Sequence, residues 1–395
     1  MAFPLQPQIL IAHPWMGRGG SEATAMWSLH ALQDIAKISF TTASPVDWDR
    51  LNAVYGTRVD PGKITLLQAP RLPGVASGTQ FAFWQRAYFE RFCQALPGRY
   101  DACISAYNPI RFSQPAIQLI GDFSFDEGAR LGLYPNASEQ ARHRPSWLRR
   151  VYLSVGSQLA GHRQSGIAGP DDRVVANSRW TAGILDTFFQ IQDSPVLYPP
   201  SPLHAGGSAV GRDPLAFVCM GRIVPEKEIE TVLAILDGVR AAGHPVTLDL
   251  IGQFGDDAYS KRIRQMAEER SEWVRTPGFL GPAEKGGVFS TRTYGIHACR
   301  VEAFGIAIAE MAAAGLVPFV SDDGGVQEIV GSDHLVFADI DDAVKKIVAL
   351  LGQPQRLEGI RAGLRERVAR FRPESFAENL VGIVEEFLGR TPGKA

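Results

Sequence analysis

The chain has only four cysteines in 395 residues, Cys93, Cys103, Cys219 and Cys299, and no two are spaced as a metal clip. Neither a zinc site nor a disulfide framework follows from such spacing, and a reducing compartment fits it. Excess basic charge is also missing. The formal net charge is −2, which argues against a general nucleic-acid binder, because nothing is left over to neutralise phosphates. The opening stretch MAFPLQPQILIAHPW lacks a basic flank ahead of its short apolar run, so no signal peptide is expected. No run reaches the roughly 18 apolar residues that a membrane span requires. The expected location is the cytoplasm, free or peripheral at the inner membrane face. A dinucleotide fingerprint is absent too: counting from Gly17, Gly19 is in register but Glu22 holds the third glycine position, which disfavours a dehydrogenase.

What is present is a regular alternation. The hydrophobic fraction of 45% is ample for full cores, and the length suggests two or three domains. Strand-length apolar runs fall at 8–13, 37–42, 64–69, 101–106, 117–122 and 173–178, with helices expected at 20–34, 79–96, 146–164 and 179–189. A stretch rich in proline and glycine, 197–214, then reads as a linker. The pattern restarts with apolar runs at 215–221, 246–252, 274–281, 294–299, 316–322 and 335–339, and a final helix is expected at 374–389. Apolar strands bounded by helices imply parallel β-α-β units covered on both faces. The expected class is therefore α/β, as two Rossmann-like doubly wound parallel-sheet domains facing across a cleft. Domain boundaries are placed at 1–198 and 199–373, with the segment from about 374 to 395 returning to the first domain.

Ligands of such sheets bind beyond the carboxyl ends of the strands. After the first run stands HPWMGRGGSEA, where Gly17, Gly19 and Gly20 lead into a helix whose free amides favour an anion. The alternative is a plain turn with Ser21 as cap and Glu22 in the first turn. After the first strand of the second block stands GRIVPEKEIE. Arg222 and Lys227 flank what reads as a helix start at Pro225 and Glu226, a place where two cations oppose the helix dipole unless an anion lies between them. Pairing with Glu226 or Glu228 is the competing reading.

The stretch EAFGIAIAE, 302–310, carries two glutamates around an apolar run. A helix starting near Phe304–Gly305 would leave its first amides open to phosphate oxygens. Helical counting puts Glu310 about 80° around from Glu302. A carboxylate accepts from hydroxyls, and a vicinal diol offers two donors. Diol, diphosphate and diol in a row describe a nucleotide sugar. Downstream, Gly324 and Gly325 in SDDGGVQEIVG read as a further anion nest or an ordinary turn.

Together GRIVPEK, EAFGIAIAEMAAAG and SDDGGVQEIVG, in that order, with GRGGSE near the start and VVANSRWTAGIL before the linker, resemble retaining glycosyltransferases of the GT-B fold, family 4. The resemblance covers nearly the whole chain and is strongest in 170–332. It implies that Arg222 and Lys227 bind and stabilise the leaving diphosphate, that Glu302 contacts the donor sugar, and that Glu310 binds ribose. It further implies phosphate contacts at the amides of Phe304, Gly305 and Ile306, donor contacts at Gly221 and Leu280, with Gly278–Leu280 near the base, and a contribution of Gly19 and Gly20 from the other domain. Where relatives carry a histidine after a first-domain strand, this chain has IGDFSF, so Asp122 takes that place, with His13 and His297 as other candidates. The donor would be GDP-mannose or a UDP-hexose and the acceptor a glycan, lipid-linked or small molecule. A faint likeness to lipid-linked-oligosaccharide mannosyltransferases favours mannose and a polyprenyl-linked acceptor. No metal cofactor is expected. The D-x-D of ADIDDAV, 338–344, reads better as the cap of a helix at 341–351. The segment 142–164 carries five arginines, two histidines, a tryptophan and a tyrosine with no acid, which fits either an anionic membrane surface or a solvated face. Rival readings are a nucleotide-sugar epimerase, a phosphorylase and a non-catalytic sugar-nucleotide sensor. The first is opposed by Glu302 with Glu310, the second by the absence of an evident pyridoxal-phosphate lysine, and the third by the intact Arg222 and Lys227.

Overall fold

The computed structural model describes residues 6–17, 19–75, 81–96, 100–133, 146–161, 167, 169–201 and 211–390. The expected linker and the basic segment 142–164 lie partly outside the described residues. The chain forms two compact units, Met1–Pro200 with Pro373–Ala395, and Ser201–Arg372.

The first unit contains strands β1 (Gln8–Ala12), β2 (Lys37–Thr42), β3 (Ile64–Gln68), β4 (Ala102–Ser105), β5 (Ala116–Ile120) and β6 (Arg173–Ala176). They form one parallel sheet in the order β3-β2-β1-β4-β5-β6. β1, β4 and β5 are buried almost end to end, as strands covered on both faces must be. The covering helices are α1 (Gly20–Leu32), α2 (Trp48–Tyr55), α3 (Ala82–Ala95), α4 (Glu127–Leu133), α5 (Trp147–Ala160) and α6 (Arg179–Phe189). Two of these, α2 and α4, are not legible as apolar periodicity. α2 buries only Leu51 and is defined by its ends: Asp47 accepts from the Arg50 amide, and Gly56 closes it at φ 69.

In the second unit, β7 (Asp213–Met220), β8 (Thr247–Ile251), β9 (Val274–Gly278), β10 (Arg292–His297), β11 (Val317–Ser321) and β12 (Val336–Phe337) form a second parallel sheet in the order β12-β11-β10-β7-β8-β9. The helices are α7 (Ile229–Ala241), α8 (Ala258–Glu268), α9 (Pro282–Thr291), α10 (Ile306–Ala313), α11 (Gln327–Val330), α12 (Ile340–Leu351) and α13 (Leu357–Val368). Asp339 caps α12 by accepting from the Asp342 amide, so the D-x-D serves a helix start. A last helix, α14 (Pro373–Arg390), places Phe376, Leu380, Val384 and Phe387 in the apolar core of the first unit, beside residues of α1 and β1.

Read from their own first strands, both sheets share one order, with a reversal between the first and fourth strands. That reversal falls between β1 and β4 in one unit and between β7 and β10 in the other. Crevices at such reversals are where doubly wound sheets bind ligands.

Candidate active site

In the second unit the loops leaving β7 and β10 carry the charged residues. β7 ends at Met220, and Gly221 follows with its amide donating to the Ile251 carbonyl at 3.0 Å. Gly252 of the neighbouring strand end presses against this turn; a Cβ there would lie 2.2 Å from the Gly221 oxygen. Arg222 is exposed, and its side chain has no hydrogen bond or ion pair among the described residues. The backbone then makes a 3-10 turn, Pro225–Lys227, and passes through Glu228 at φ 47 before α7 begins at Ile229. Lys227 thus precedes the α-helix rather than standing in its first turn. It does not pair with Glu226 or Glu228: its ammonium donates to Glu302 Oε2.

Glu302 is the centre of a cluster. The same Oε2 lies 3.0 Å from His297 Nε2, at the end of β10. Burial alone would raise the Glu302 pKa, but the Lys227 charge and the His297 bond hold it well below the usual carboxylate range. Lys227 is likewise desolvated, and Glu302 more than offsets this, raising its pKa. Burial dominates at His297 and lowers its pKa, so the imidazole is neutral at pH 7. The Glu302 backbone is held as firmly as its side chain. Its carbonyl accepts from the Gly325 amide at 2.8 Å, and Gly324, at φ +89, lies so close that a Cβ would stand 2.6 Å from that oxygen. The Gly324 amide donates to Asp323 Oδ1 at 2.7 Å. The expected anion nest at Gly324–Gly325 is therefore not open: the Gly325 amide is committed to the Glu302 carbonyl and the Gly324 amide to the Asp323 carboxylate.

Glu302 also precedes α10 rather than belonging to it. Gly305, at φ 95, is the cap residue, so counting 100° per residue from Glu302 does not apply. Phe304 is buried, edge-on to Phe371 at a centroid distance of 5.0 Å. Beyond it the amides of Gly305, Ile306 and Ala307 have no partner among the described residues, and Glu302 Cγ lies 3.4 Å from where a Gly305 Cβ would stand. A helix start with open donors thus adjoins Glu302 and, through it, Lys227, whose ammonium also feels the Arg222 charge. Glu310, further along α10, is half-buried and pairs with Lys285 Nζ at 2.7 Å. Lys285, on α9, is a residue that sequence reasoning missed. It stands 25 positions from its partner, and no local pattern marks it. Leu280 is half-buried just after β9, whose last residue, Gly278, has φ +81.

His297, Cys299 and Glu302 place one donor atom each within 4.8 Å of one another. The donor chemistry fits a cation poorly. Burial pushes the Cys299 thiol up to about 12, so it stays protonated, and the Lys227 ammonium already lies on Glu302.

The remaining expected residues belong to the first unit. Gly19 caps α1 and Gly20 begins it, but the Gly19 amide donates to the Tyr55 hydroxyl at 3.0 Å. The Glu22 side chain, nearly buried, folds back against the loop; a Cβ on Gly19 would meet Glu22 Oε2 at 2.5 Å. A carboxylate there repels anions and accepts from hydroxyls, which corrects the expectation of an anion-binding loop. His13 is fully buried, edge-on to Tyr107 at 5.2 Å, and neither ring nitrogen has a hydrogen-bond partner among the described residues. Burial lowers its pKa, against an opposing pull from Glu22 and the Trp15 backbone. Asp122 is tied into its loop by one oxygen: its Oδ1 accepts from Asn108 Nδ2 at 3.1 Å, the Ser124 amide at 2.8 Å and the Ser124 hydroxyl at 2.6 Å, and Oδ2 has no hydrogen-bond partner among the described residues. Asn108, buried at φ 50, needs that tie to hold its left-handed backbone.

Two doubly wound α/β units of this order define the class of the fold, and solved structures share it. The chain is similar to sucrose-phosphate synthase from Thermosynechococcus elongatus, with a TM-score of 0.71 and 14% identity over 98% of this chain and 100% of that one. It is also similar to Anabaena HepE in complex with UDP and glucose, with a TM-score of 0.64 and 15% identity over 96% and 100%. The fold is of the GT-B type. Residues 207–367 match the model of the family glycosyl transferases group 1. A curated relative, the GDP-Man:Man(3)GlcNAc(2)-PP-Dol alpha-1,2-mannosyltransferase of Xenopus tropicalis, is 26% identical over 260 residues, 61% of this chain and 53% of that protein. The chain spans about half the length of the curated relatives it matches.

Proposed function

We propose that the chain is a metal-independent retaining glycosyltransferase that moves a hexose from a nucleotide-diphosphate sugar to a glycan or lipid-linked acceptor, with GDP-mannose the first donor to try. The observation that carries this reading is the meeting, at the strand reversal of the second sheet, of an unpaired Arg222, the Lys227–Glu302 pair and the open amides that start α10. Fixed positive charge and backbone donors together suit a departing diphosphate. Glu302 would take a hexose hydroxyl and Glu310 the ribose. The family match of residues 207–367 and the printed activities of the mannosyltransferase relatives support the same reading. No carboxylate of these motifs has an evident nucleophile role, and the mechanism we propose is same-face displacement, with leaving-group stabilisation as its main element.

The acceptor side favours a lipid. α5 exposes Trp147, Leu148 and Val151 along one face, with Arg150 beside them, and its other face packs on α3, where Trp84 Nε1 donates to the Tyr152 carbonyl at 2.7 Å. An apolar stripe flanked by arginine suits an anionic bilayer. Among the described residues, no helix is long and apolar enough to cross a membrane, so the contact would be peripheral, from the cytoplasmic side.

A thermal-shift series against GDP-mannose, UDP-glucose and UDP-N-acetylglucosamine, with and without EDTA, tests the donor. Stabilisation rises with ligand concentration over Kd. One donor raising Tm equally with and without EDTA is expected, followed by its turnover; no shift with any of them overturns the reading.

A further inference from the structure

His297 is buried at the end of β10, and the sequence offered it only as a further candidate for the place of the family histidine. Its Nε2 meets Glu302 Oε2 at 3.0 Å, and the Lys227 ammonium meets the same oxygen. Both partners therefore lie on one side of the carboxylate, and Oε1 has none among the described residues. A carboxylate only accepts, so Nε2 carries the ring hydrogen. The other partner is the less permanent one. Lys227 stands on a turn beside the exposed Arg222, whose charge already bears on it, and a diphosphate arriving between them would compete with Glu302 for the ammonium. The imidazole has no such rival: it is 3% exposed and its ring is held by the sheet.

We propose that His297 is a positioning residue for the donor sugar: it holds Glu302 by Oε2 when a diphosphate draws Lys227 away, so that Oε1 stays aimed at a hexose hydroxyl. The proposal rests on the transferase reading of this site. It divides the donor's affinity into two parts. Arg222, Lys227 and the α10 amides serve the diphosphate, while His297 acts only on the sugar, through Glu302. Loss of the imidazole then penalises the nucleotide sugar and spares the nucleoside diphosphate. A purely structural role would penalise both.

The test measures Kd on the full chain by calorimetry for two matched pairs, GDP with GDP-mannose and UDP with UDP-glucose, and steady-state kinetics with whichever sugar nucleotide turns over. His297→Phe keeps the ring volume and removes the donor. His297→Gln keeps an N–H near the Nε2 position. The expected result for His297→Phe is unchanged diphosphate affinity with sugar-nucleotide affinity down about tenfold and kcat reduced, most of it restored in His297→Gln. Equal losses for both members of a pair, no loss for either, or no rescue by glutamine in a variant that keeps wild-type Tm would overturn the proposal. Failure of the wild-type chain to bind any of the four probes sinks the transferase reading itself, a separate outcome.

Discussion

Lys285 Nζ and Glu310 Oε2 are 2.7 Å apart on two helices of the second unit, each side chain less than one-fifth exposed. This pair explains how a glutamate is tolerated in the apolar sequence GIAIAEMAAAG: it is partnered, as half-buried carboxylates must be. It also leaves the second carboxylate oxygen available. Glu310→Gln is expected to weaken binding of the free nucleoside diphosphate about tenfold while circular dichroism stays native. Unchanged affinity in a calorimetric titration removes Glu310 from the ribose.

Arg222 and Lys227 contribute charge to a leaving group. Arg222→Ala and Lys227→Ala should each cut kcat by about 10²–10³-fold. The variants should differ in stability. Arg222 has no side-chain partner among the described residues, so the Tm of its variant should stay at the wild-type value, whereas Lys227→Ala leaves Glu302 buried beside His297 and should lower Tm. Turnover at the wild-type rate in either variant excludes the diphosphate role.

Gly324 lies against the Glu302 carbonyl with a left-handed backbone. Gly324→Ala forces a Cβ into that oxygen and should destabilise the second unit by about 1–3 kcal/mol. Urea unfolding checks this, and a midpoint equal to the wild type would show that the loop relaxes freely.

On α4, Glu127 accepts from Arg149 Nε on α5 at 2.6 Å and from Arg130 Nη2 at 2.9 Å. Burial would raise its pKa, but the two arginines pull it from 4.5 to about 2. A depressed carboxyl stabilises the fold fully above its unfolded value and loses that contribution as pH falls from about 4.5 towards 2. Wild type should therefore melt above Glu127→Gln at pH 7, and the gap should close through that acid window. A gap independent of pH would mean the ion pairs contribute nothing.

The stripe on α5 makes a prediction of its own. Trp147→Glu with Leu148→Glu should abolish cosedimentation with phosphatidylglycerol vesicles while Tm is unchanged, since both side chains are mainly exposed. Wild-type chain that fails to cosediment would discard the bilayer contact.

Whereas the edge strands β3 and β9 are largely exposed, the buried strands were readable because parallel strands buried on both faces are short unbroken apolar runs, and VVAN, AFVC and YGIH are such runs. Their carboxyl ends then pointed to Arg222, Lys227 and Glu302. The partners of those residues were not readable. Glu302 draws on a turn after β7, a strand end and the loop after β11, and only the folded sheet brings the three together. Glu22 misled for a related reason: in the first turn of a helix it reads as a dipole-favoured surface residue, yet it folds back under its own glycines. Asp122 was expected at the place where the resemblance implies a histidine, and its ties to Asn108 and Ser124 lie in loop geometry that no periodicity reports.

The helix α14 carries a consequence for how the molecule is made. Its Phe376, Leu380, Val384 and Phe387 complete a core begun by Ile9, Leu29 and Ile38, near the other end of the sequence. The second unit is one continuous stretch and holds all its own core residues by the time Arg372 is synthesised. The part of the chain made first is thus finished last, with an apolar face on α1 and β1 waiting throughout synthesis for its closing helix.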